Sequence, residues 1–308
     1  MRIQYYETFT FFSVKYDSTS CAPKSTIFSM RTEIKICRSP PRFHGALVGA
    51  RQICYNGGGG IRVPKLAPYH RDLPYAYAPG IFPSHALLQA RPACARRLLV
   101  HSAAADSEGV ASLRARCEAL GVRVETADHA LARLSRKENC FAAVVFDKFS
   151  DELASDAPHV VLHRPADMGN LGTILRTCLG FGLRDVALVR PAADVFDPRV
   201  VRASMGALFS LRVRYVDDFP AYREAYPHHA LYPFMLDGAL PLAQAAAQGR
   251  RPYALVFGNE ASGLPPDFAR MGQAVRIRHS DAIDSLNLAM AVSIAAYAFT
   301  ERDFQKGD

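Results

Sequence analysis

Tryptophan is absent from the 308 residues, and so is any apolar run long enough to read as a membrane-spanning helix. The longest candidate, residues 285–300, is too short and is interrupted by Asn287 and Ser293. No secretory leader is expected either: Glu7 breaks the first aromatic stretch, residues 9–14 are too few for an apolar signal core, and Lys15 and Asp17 follow. The seven cysteines, at 21, 37, 54, 94, 117, 140 and 178, contain no Cys-x-x-Cys pair and no clustered histidine. That pattern reads as reduced thiols in a cytoplasmic protein without zinc or another metal site. Nucleotide loops are also lacking. Gly57 to Gly60 is followed by Arg62-Val63-Pro64 rather than Lys-Ser/Thr, and no Gly-x-Gly-x-x-Gly follows a strand, which ranks a nicotinamide oxidoreductase low.

What is present is a chain with 49% hydrophobic residues, enough for a substantial core, and a net charge of +8 that is unevenly placed. Residues 1–82 carry +7 (11 basic, 4 acidic), residues 83–150 carry +3 (10 basic, 7 acidic) and residues 151–308 carry −2 (16 basic, 18 acidic). A basic front half suits contact with a phosphate backbone, but a solvated basic tail is the commoner reading of charge alone. Residues 1–75 show no sustained period and are expected to form a disordered basic arm, within which Met30 is an alternative start. Residues 76–152 alternate short helices and strands as a small α/β domain, and residues 153–308 continue that rhythm as a second α/β domain.

The chain is organised around residues 164–178, Arg-Pro-Ala-Asp-Met-Gly-Asn-Leu-Gly-Thr-Ile-Leu-Arg-Thr-Cys. An apolar run, His159 to His163, leads in, and another, Asp185 to Val189, leads out. This is a strand, a helix and a strand, and in an open parallel sheet the strand's carboxyl end is where ligands bind. Asn170 stands where a helix N-cap belongs, with Leu171, Ile174, Leu175 and Cys178 at helical spacing behind it. Arg176 falls with Thr173 and Thr177 on the polar face. Taken alone, a cap and a solvated arginine are the commoner readings.

Two later segments change that weight. Residues 255–265, Leu-Val-Phe-Gly-Asn-Glu-Ala-Ser-Gly-Leu-Pro, run from a strand into a glycine-bounded loop with one carboxylate. Residues 277–287 end in Asp284-Ser285-Leu286-Asn287 before an apolar helix of residues 285–302. In order and spacing the three segments resemble the motifs of the SpoU/TrmH family of RNA ribose 2'-O-methyltransferases, within the SPOUT superfamily. The resemblance spans residues 158–300. It implies a parallel sheet with helices on both faces and a deep C-terminal trefoil knot, S-adenosylmethionine as co-substrate, tRNA or rRNA as partner, and a homodimer. The preceding domain resembles the RNA-binding domain that many members carry.

Carried over by position, the resemblance assigns the chemistry to Arg176, Asn170, Glu260, Ser285 and Asn287, and the cofactor contacts to Gly258, Ile277, Leu286, Asn259 and Gly263. Arg176 is expected to hold a phosphate and the 2'-oxygen, as an electrostatic anchor rather than a base, because a guanidinium does not deprotonate in proteins. Glu260 is expected to orient Asn170 or to receive backbone N–H groups. Arg202 and Ser204, in a stretch like the family's Arg-x-Ser-x-Gly, are second-tier RNA contacts. Arg96 and Arg97, with Arg91, Arg133, Arg136 and Lys137, stand as phosphate contacts or as solvated surface. Two departures are visible: Ile277-Arg278-His279 replaces an Ile-Pro-Met rim, and Glu138-Asn139-Cys140 replaces a His-Gln-Gly stretch. The first keeps open an alternative, a non-catalytic RNA-binding protein that retains the fold. The last helix, apolar nearly all round, is expected to be buried, in part against a partner subunit.

Overall fold

The computed structural model describes residues 66–134 and 140–304. The expected arm up to residue 65, with Gly57 to Gly60 and Met30, and the residues Arg136, Lys137, Glu138 and Asn139 lie outside the described residues. A first layer comprises β1 (Tyr75–Pro79), α1 (Ile81–Ala90), β2 (Ala95–Val100), α2 (Glu108–Ala119), β3 (Arg123–Thr126), α3 (Asp128–Leu134) and β4 (Ala142–Asp147). Its sheet runs β1-β4-β2-β3, with β4 antiparallel to both neighbours and β2 parallel to β3. Strand alternation sorts the two faces: Leu98 and Val144 join the core with Leu87 and Leu113, whereas Leu99 and Val145 pack with Leu131 of α3.

The second layer comprises β5 (His159–His163), α4 (Met168–Gly180), β6 (Asp185–Val189), α5 (Pro198–Ala203), β7 (Arg212–Val216), α6 (Phe219–Ala225), β8 (Ala230–Pro233), β9 (Leu240–Pro241), α7 (Leu242–Gln248), β10 (Tyr253–Phe257), α8 (Phe268–Met271), β11 (Val275–Arg276) and α9 (Leu288–Phe304). Five strands make one parallel sheet in the order β7-β6-β5-β10-β8. Both faces are covered, which is why β6 and β10 are buried at every position. Val160, Leu162, Leu188 and Leu255 face the core that holds Ile174, Val200 and Val292, while Val161, Ala187 and Val256 face Phe219, Tyr222 and Phe268.

Arg91 ties the layers together. Its guanidinium makes a bidentate pair with Asp151 at 2.9 and 2.8 Å, donates to the carbonyls of Phe209 and Leu211, and lies 3.9 Å from the centre of the Phe149 ring. This engagement removes Arg91 from the phosphate candidates.

Four expectations change. Residues 66–74 belong with the folded part rather than the arm: the Tyr77 hydroxyl donates to the Ala67 carbonyl at 2.5 Å, the Tyr69 hydroxyl donates to Asp194, and Lys148 Nζ donates to the Arg71 carbonyl at 2.6 Å. The cap of α4 is Asp167, not Asn170; the Asp167 carboxylate accepts the Asn170 N–H at 2.6 Å. Residues 240–248 read from their sequence as a helix, but the segment opens as the short strand β9, paired with β11, and becomes helical at Leu242. The last helix begins at Leu288, not Ser285, with the Asn287 side-chain oxygen accepting the N–H groups of Ala289 at 2.9 Å and Met290 at 3.3 Å. It is buried on one side only, because Met290, Ile294 and Tyr297 remain 49%, 40% and 52% exposed.

Candidate active site

From β5 the chain builds outward through β6 to β7, then crosses to β8 and returns to β10, on the other side of β5. The crevice at the carboxyl ends of β5 and β10 is therefore the switch point of the sheet. Two loops meet there. After β5, Arg164 turns in the left-handed region (φ 61°), its N–H bonded to the Val189 carbonyl at 3.1 Å. After β10, Asn259 donates from Nδ2 to the Arg164 carbonyl at 2.9 Å, and the two oxygens of Glu260 accept the N–H groups of Ala166 and Asp167, each at 3.0 Å. Glu260 thus does not touch Asn170; of the two roles expected for it, the backbone-accepting one is the arrangement seen.

The glycines explain the loop's shape. A Cβ on Gly258 would stand 2.1 Å from the Gly263 carbonyl carbon and 2.3 Å from the Leu264 nitrogen. Gly263 has φ +65°, and it exchanges both backbone hydrogen bonds with Asn259, at 3.2 and 2.9 Å. Asn259 Oδ1 then accepts the Ala261 and Ser262 N–H groups at 3.0 and 3.2 Å. Backbone meets backbone throughout this turn.

Beside it lies a cavity of about 370 Å³ whose lining includes all five expected cofactor residues, Gly258, Asn259, Gly263, Ile277 and Leu286. Phe234 and Phe257, stacked at 4.4 Å between centroids, form part of its apolar wall. Glu260 and Ser285 also border it; Asn170, Arg176 and Asn287 do not. His279 lies on the rim, its Nδ1 3.0 Å from the Ile277 carbonyl.

Because Asp167 takes the cap, the Asn170 side chain is free to cross to α9. Asn287 Nδ2 donates to Asn170 Oδ1 at 3.0 Å, joining residues 117 apart in sequence. One face further along, the hydroxyls of Thr177 and Ser293 approach to 3.2 Å. Arg176 is exposed and makes no hydrogen bond or ion pair among the described residues. Ser285 is exposed and is no cap.

The RNA candidates fare unevenly. Arg96 is bonded to Asp147 at 2.5 Å and lies over the Tyr75 ring, and Arg97 is bonded to Glu125 at 3.2 Å. Ser204 is fully buried and donates to the Val201 carbonyl at 2.9 Å, which takes it out of reach of RNA. Arg202 is partly buried on α5. Sequence reasoning missed Asp167 and Arg164. The first was signalled by its own place three residues before Asn170; the second had no signal, since only the folded loop reveals its positive φ.

A crevice at the switch point of an open parallel sheet, walled by a glycine turn and closed by a carboxylate on backbone N–H groups, defines an α/β protein that binds a small ligand at the strand ends. Residues 157–297 match the SpoU rRNA Methylase family. A Synechocystis sp. protein named an uncharacterised tRNA/rRNA methyltransferase is 30% identical over 175 residues, 54% of this chain and 62% of that protein, so the present chain spans less than two thirds of that relative. A Bacillus subtilis protein, provisionally named a tRNA (cytidine(34)-2'-O)-methyltransferase, is 30% identical over 46% of this chain and 90% of its own length. The crystal structure of an rRNA methyltransferase from Sinorhizobium meliloti with S-adenosylmethionine bound has the same fold, with a TM-score of 0.62 at 24% identity over 74% of this chain and 88% of that one. The chain belongs to the SpoU family of RNA methyltransferases.

Proposed function

We propose that this protein transfers a methyl group from S-adenosylmethionine to a ribose 2'-hydroxyl of tRNA or rRNA. The observation that carries the reading is the switch-point site itself: a 370 Å³ cavity lined by Gly258, Asn259, Gly263, Ile277 and Leu286, next to the Asn170–Asn287 pair on the helix that bears an unpaired Arg176. Its volume and apolar wall, with backbone polar groups on one side, fit a drug-sized co-substrate. When bound, S-adenosylmethionine supplies an electrophilic methyl on its sulfonium; the carbon–sulfur bond breaks as the carbon–oxygen bond forms, and the 2'-hydroxyl proton is lost to solvent.

The chain's own part is positioning. Arg176 offers five donors in a planar fork to a phosphate and to the 2'-oxygen. Asn170 and Asn287 hold the starts of α4 and α9 in register. Glu260 fixes the loop that leads into α4 by taking two N–H groups that would otherwise need water.

The reading extends to the assembly. The insertion of β10 between β5 and β8, and the return of residues 258–287 onto α4, support a C-terminal trefoil knot. Met290, Ile294 and Tyr297, exposed at spacings of four and three along α9, form an apolar row suited to a second copy and support a homodimer. Residues 76–152 would serve as the RNA-binding domain and residues 153–308 as the catalytic one. The four described cysteines are unpaired thiols, in keeping with a cytoplasmic setting. The test is transfer of labelled methyl from S-adenosylmethionine to unmodified tRNA and, separately, rRNA, followed by digestion to nucleosides. Label on a ribose 2'-oxygen is expected. No label from folded protein would return the chain to the non-catalytic RNA-binding alternative.

A further inference from the structure

The Asn259/Glu260 closure divides the carboxyl edge of the sheet in two. On the β10 side is the cavity described above. On the β5-β6-β7 side lies a wider, open cleft of about 810 Å³. Its floor is apolar: Phe219 and Phe268, 4.5 Å apart between centroids, with the His163 ring 5.2 Å from Phe268. His163 Nδ1 is buried there without a hydrogen-bond partner among the described residues.

Three arginines from three separate segments converge on this cleft: Arg71 from the stretch before β1, Arg164 after β5 and Arg190 after β6. Of the acids that share it, two are engaged elsewhere, and the third, the exposed Asp217, is paired with one of the three arginines. Asp218 caps α6 by accepting the Ala221 N–H at 2.8 Å, Asp267 pairs with Arg270, and Asp217 pairs with Arg190 at 3.4 Å. The guanidinium groups of Arg71 and Arg164 have no acceptor among the described residues. Arg164 also belongs to both halves: its side chain lines the cleft, while its carbonyl receives Asn259 from the other cavity's wall.

Resting on the RNA-directed reading above, we infer that this cleft is a second subsite, which seats a single-stranded nucleotide beside the methylated one, with Arg71, Arg164 and Arg190 on the flanking phosphates and the Phe219/Phe268 floor beneath the base. The cleft is large enough for one nucleotide, and the division of labour follows from chemistry: cations hold the backbone, and an apolar floor takes any base without reading its edge. A double-stranded segment would be too wide to reach the floor.

The experiment uses the full chain and a fluorescent single-stranded RNA of about twelve nucleotides and mixed sequence, with affinity followed by anisotropy as sodium chloride rises from about 50 to 200 mM. Arg71→Ala, Arg164→Gln and Arg190→Ala are compared with the unaltered protein. Each phosphate contact on a single strand contributes about 0.7 to the slope of log K against log salt, so each variant is expected to flatten the slope by about 0.7 and to weaken binding about 5-fold near 0.1 M. Calorimetric affinity for S-adenosylmethionine and the melting temperature should not move for Arg71→Ala and Arg190→Ala. Unchanged slope and affinity in all three variants, or no binding of the RNA by the unaltered protein, overturns the subsite. Methyl transfer is scored separately: salt-sensitive binding that the variants weaken, without any methylation, leaves the subsite standing and removes the enzymatic reading, whereas methylation with unchanged KM in all three does the reverse.

Discussion

Replacing Gly258 by alanine places a methyl group inside backbone. The added Cβ would stand 2.1 Å from the Gly263 carbonyl carbon, against about 3.4 Å for ordinary contact, so the turn must open by about 1.3 Å. No rotamer change relieves this, because the colliding atoms are all main chain. Opening the turn breaks the two hydrogen bonds between Asn259 and Gly263, worth roughly 1 kcal/mol each, and overpacking adds about 1–3 kcal/mol, for a total of about 3–5 kcal/mol. Because the same residues wall the 370 Å³ cavity, the damage should be read first in co-substrate binding. The assay is calorimetric titration with S-adenosylmethionine beside a thermal melt. Gly180→Ala serves as the comparison, since a Cβ there meets nothing within 4 Å and α4 should gain about 0.5–1 kcal/mol. Gly258→Ala that binds S-adenosylmethionine with unaltered affinity would refute the claim that close backbone approach in this turn shapes the pocket.

Arg176→Ala should abolish methyl transfer while shifting stability by no more than about 0.5 kcal/mol, because the side chain is exposed and unpaired; full activity in that variant would sink its role. Glu260→Gln leaves one oxygen for two N–H groups and should cost about 1–2 kcal/mol in the β5–α4 loop, visible as faster amide exchange at Ala166 and Asp167. Asn287→Ala removes both the α9 cap and the bond to Asn170, about 1–2 kcal/mol together by denaturant midpoint, while Asn287→Asp should restore the cap alone. Burial, then the nearby His229, pushes the His159 imidazole down to about 4; as a neutral ring it accepts from Tyr222 and donates to the Ala154 carbonyl. The unfolded chain therefore binds the extra proton between about pH 6.5 and 4, so stability is full above pH 6.5 and falls by up to about 1.4 kcal/mol per unit below it. Urea midpoints at pH 7 and pH 5 that coincide would contradict this.

The parallel sheet and the residues around its switch point were legible in the sequence because fully buried strands read as continuous apolar runs: β5, β6 and β10 lie where those runs stand. The five positions that the resemblance assigned to the cofactor line one cavity, but composition and spacing alone did not mark them. Caps were harder. Asp167 and Asn170 are both competent caps three residues apart, and the choice is settled by a partner 117 residues away: with Asp167 capping, the Asn170 amide is left for Asn287. Ser204 illustrates the opposite failure, a polar residue in a promising pattern whose hydroxyl is satisfied by its own helix and sealed from solvent. Residues 66–74 carry no period at all; hydrogen bonds with Tyr75, Tyr77, Lys148 and Asp194 and the packing of Leu66 and Tyr69 hold them. Periodicity reports burial of faces, so a strap fastened by single side chains leaves no trace in it.

The bond between Asn170 and Asn287 also sets a timetable. Synthesis lays down α4 more than a hundred residues before the residue that completes its polar end, and Glu260 reaches Ala166 across 94 positions. Contacts of such separation form late, after the intervening loop has been closed. A nascent chain that has emerged only as far as β10 therefore carries α4 with Asn170 still lacking Asn287 and Thr177 still lacking Ser293. Under the proposed function, the site that would act on RNA is complete only once α9 has been made, so a partly made copy would not engage the substrate productively.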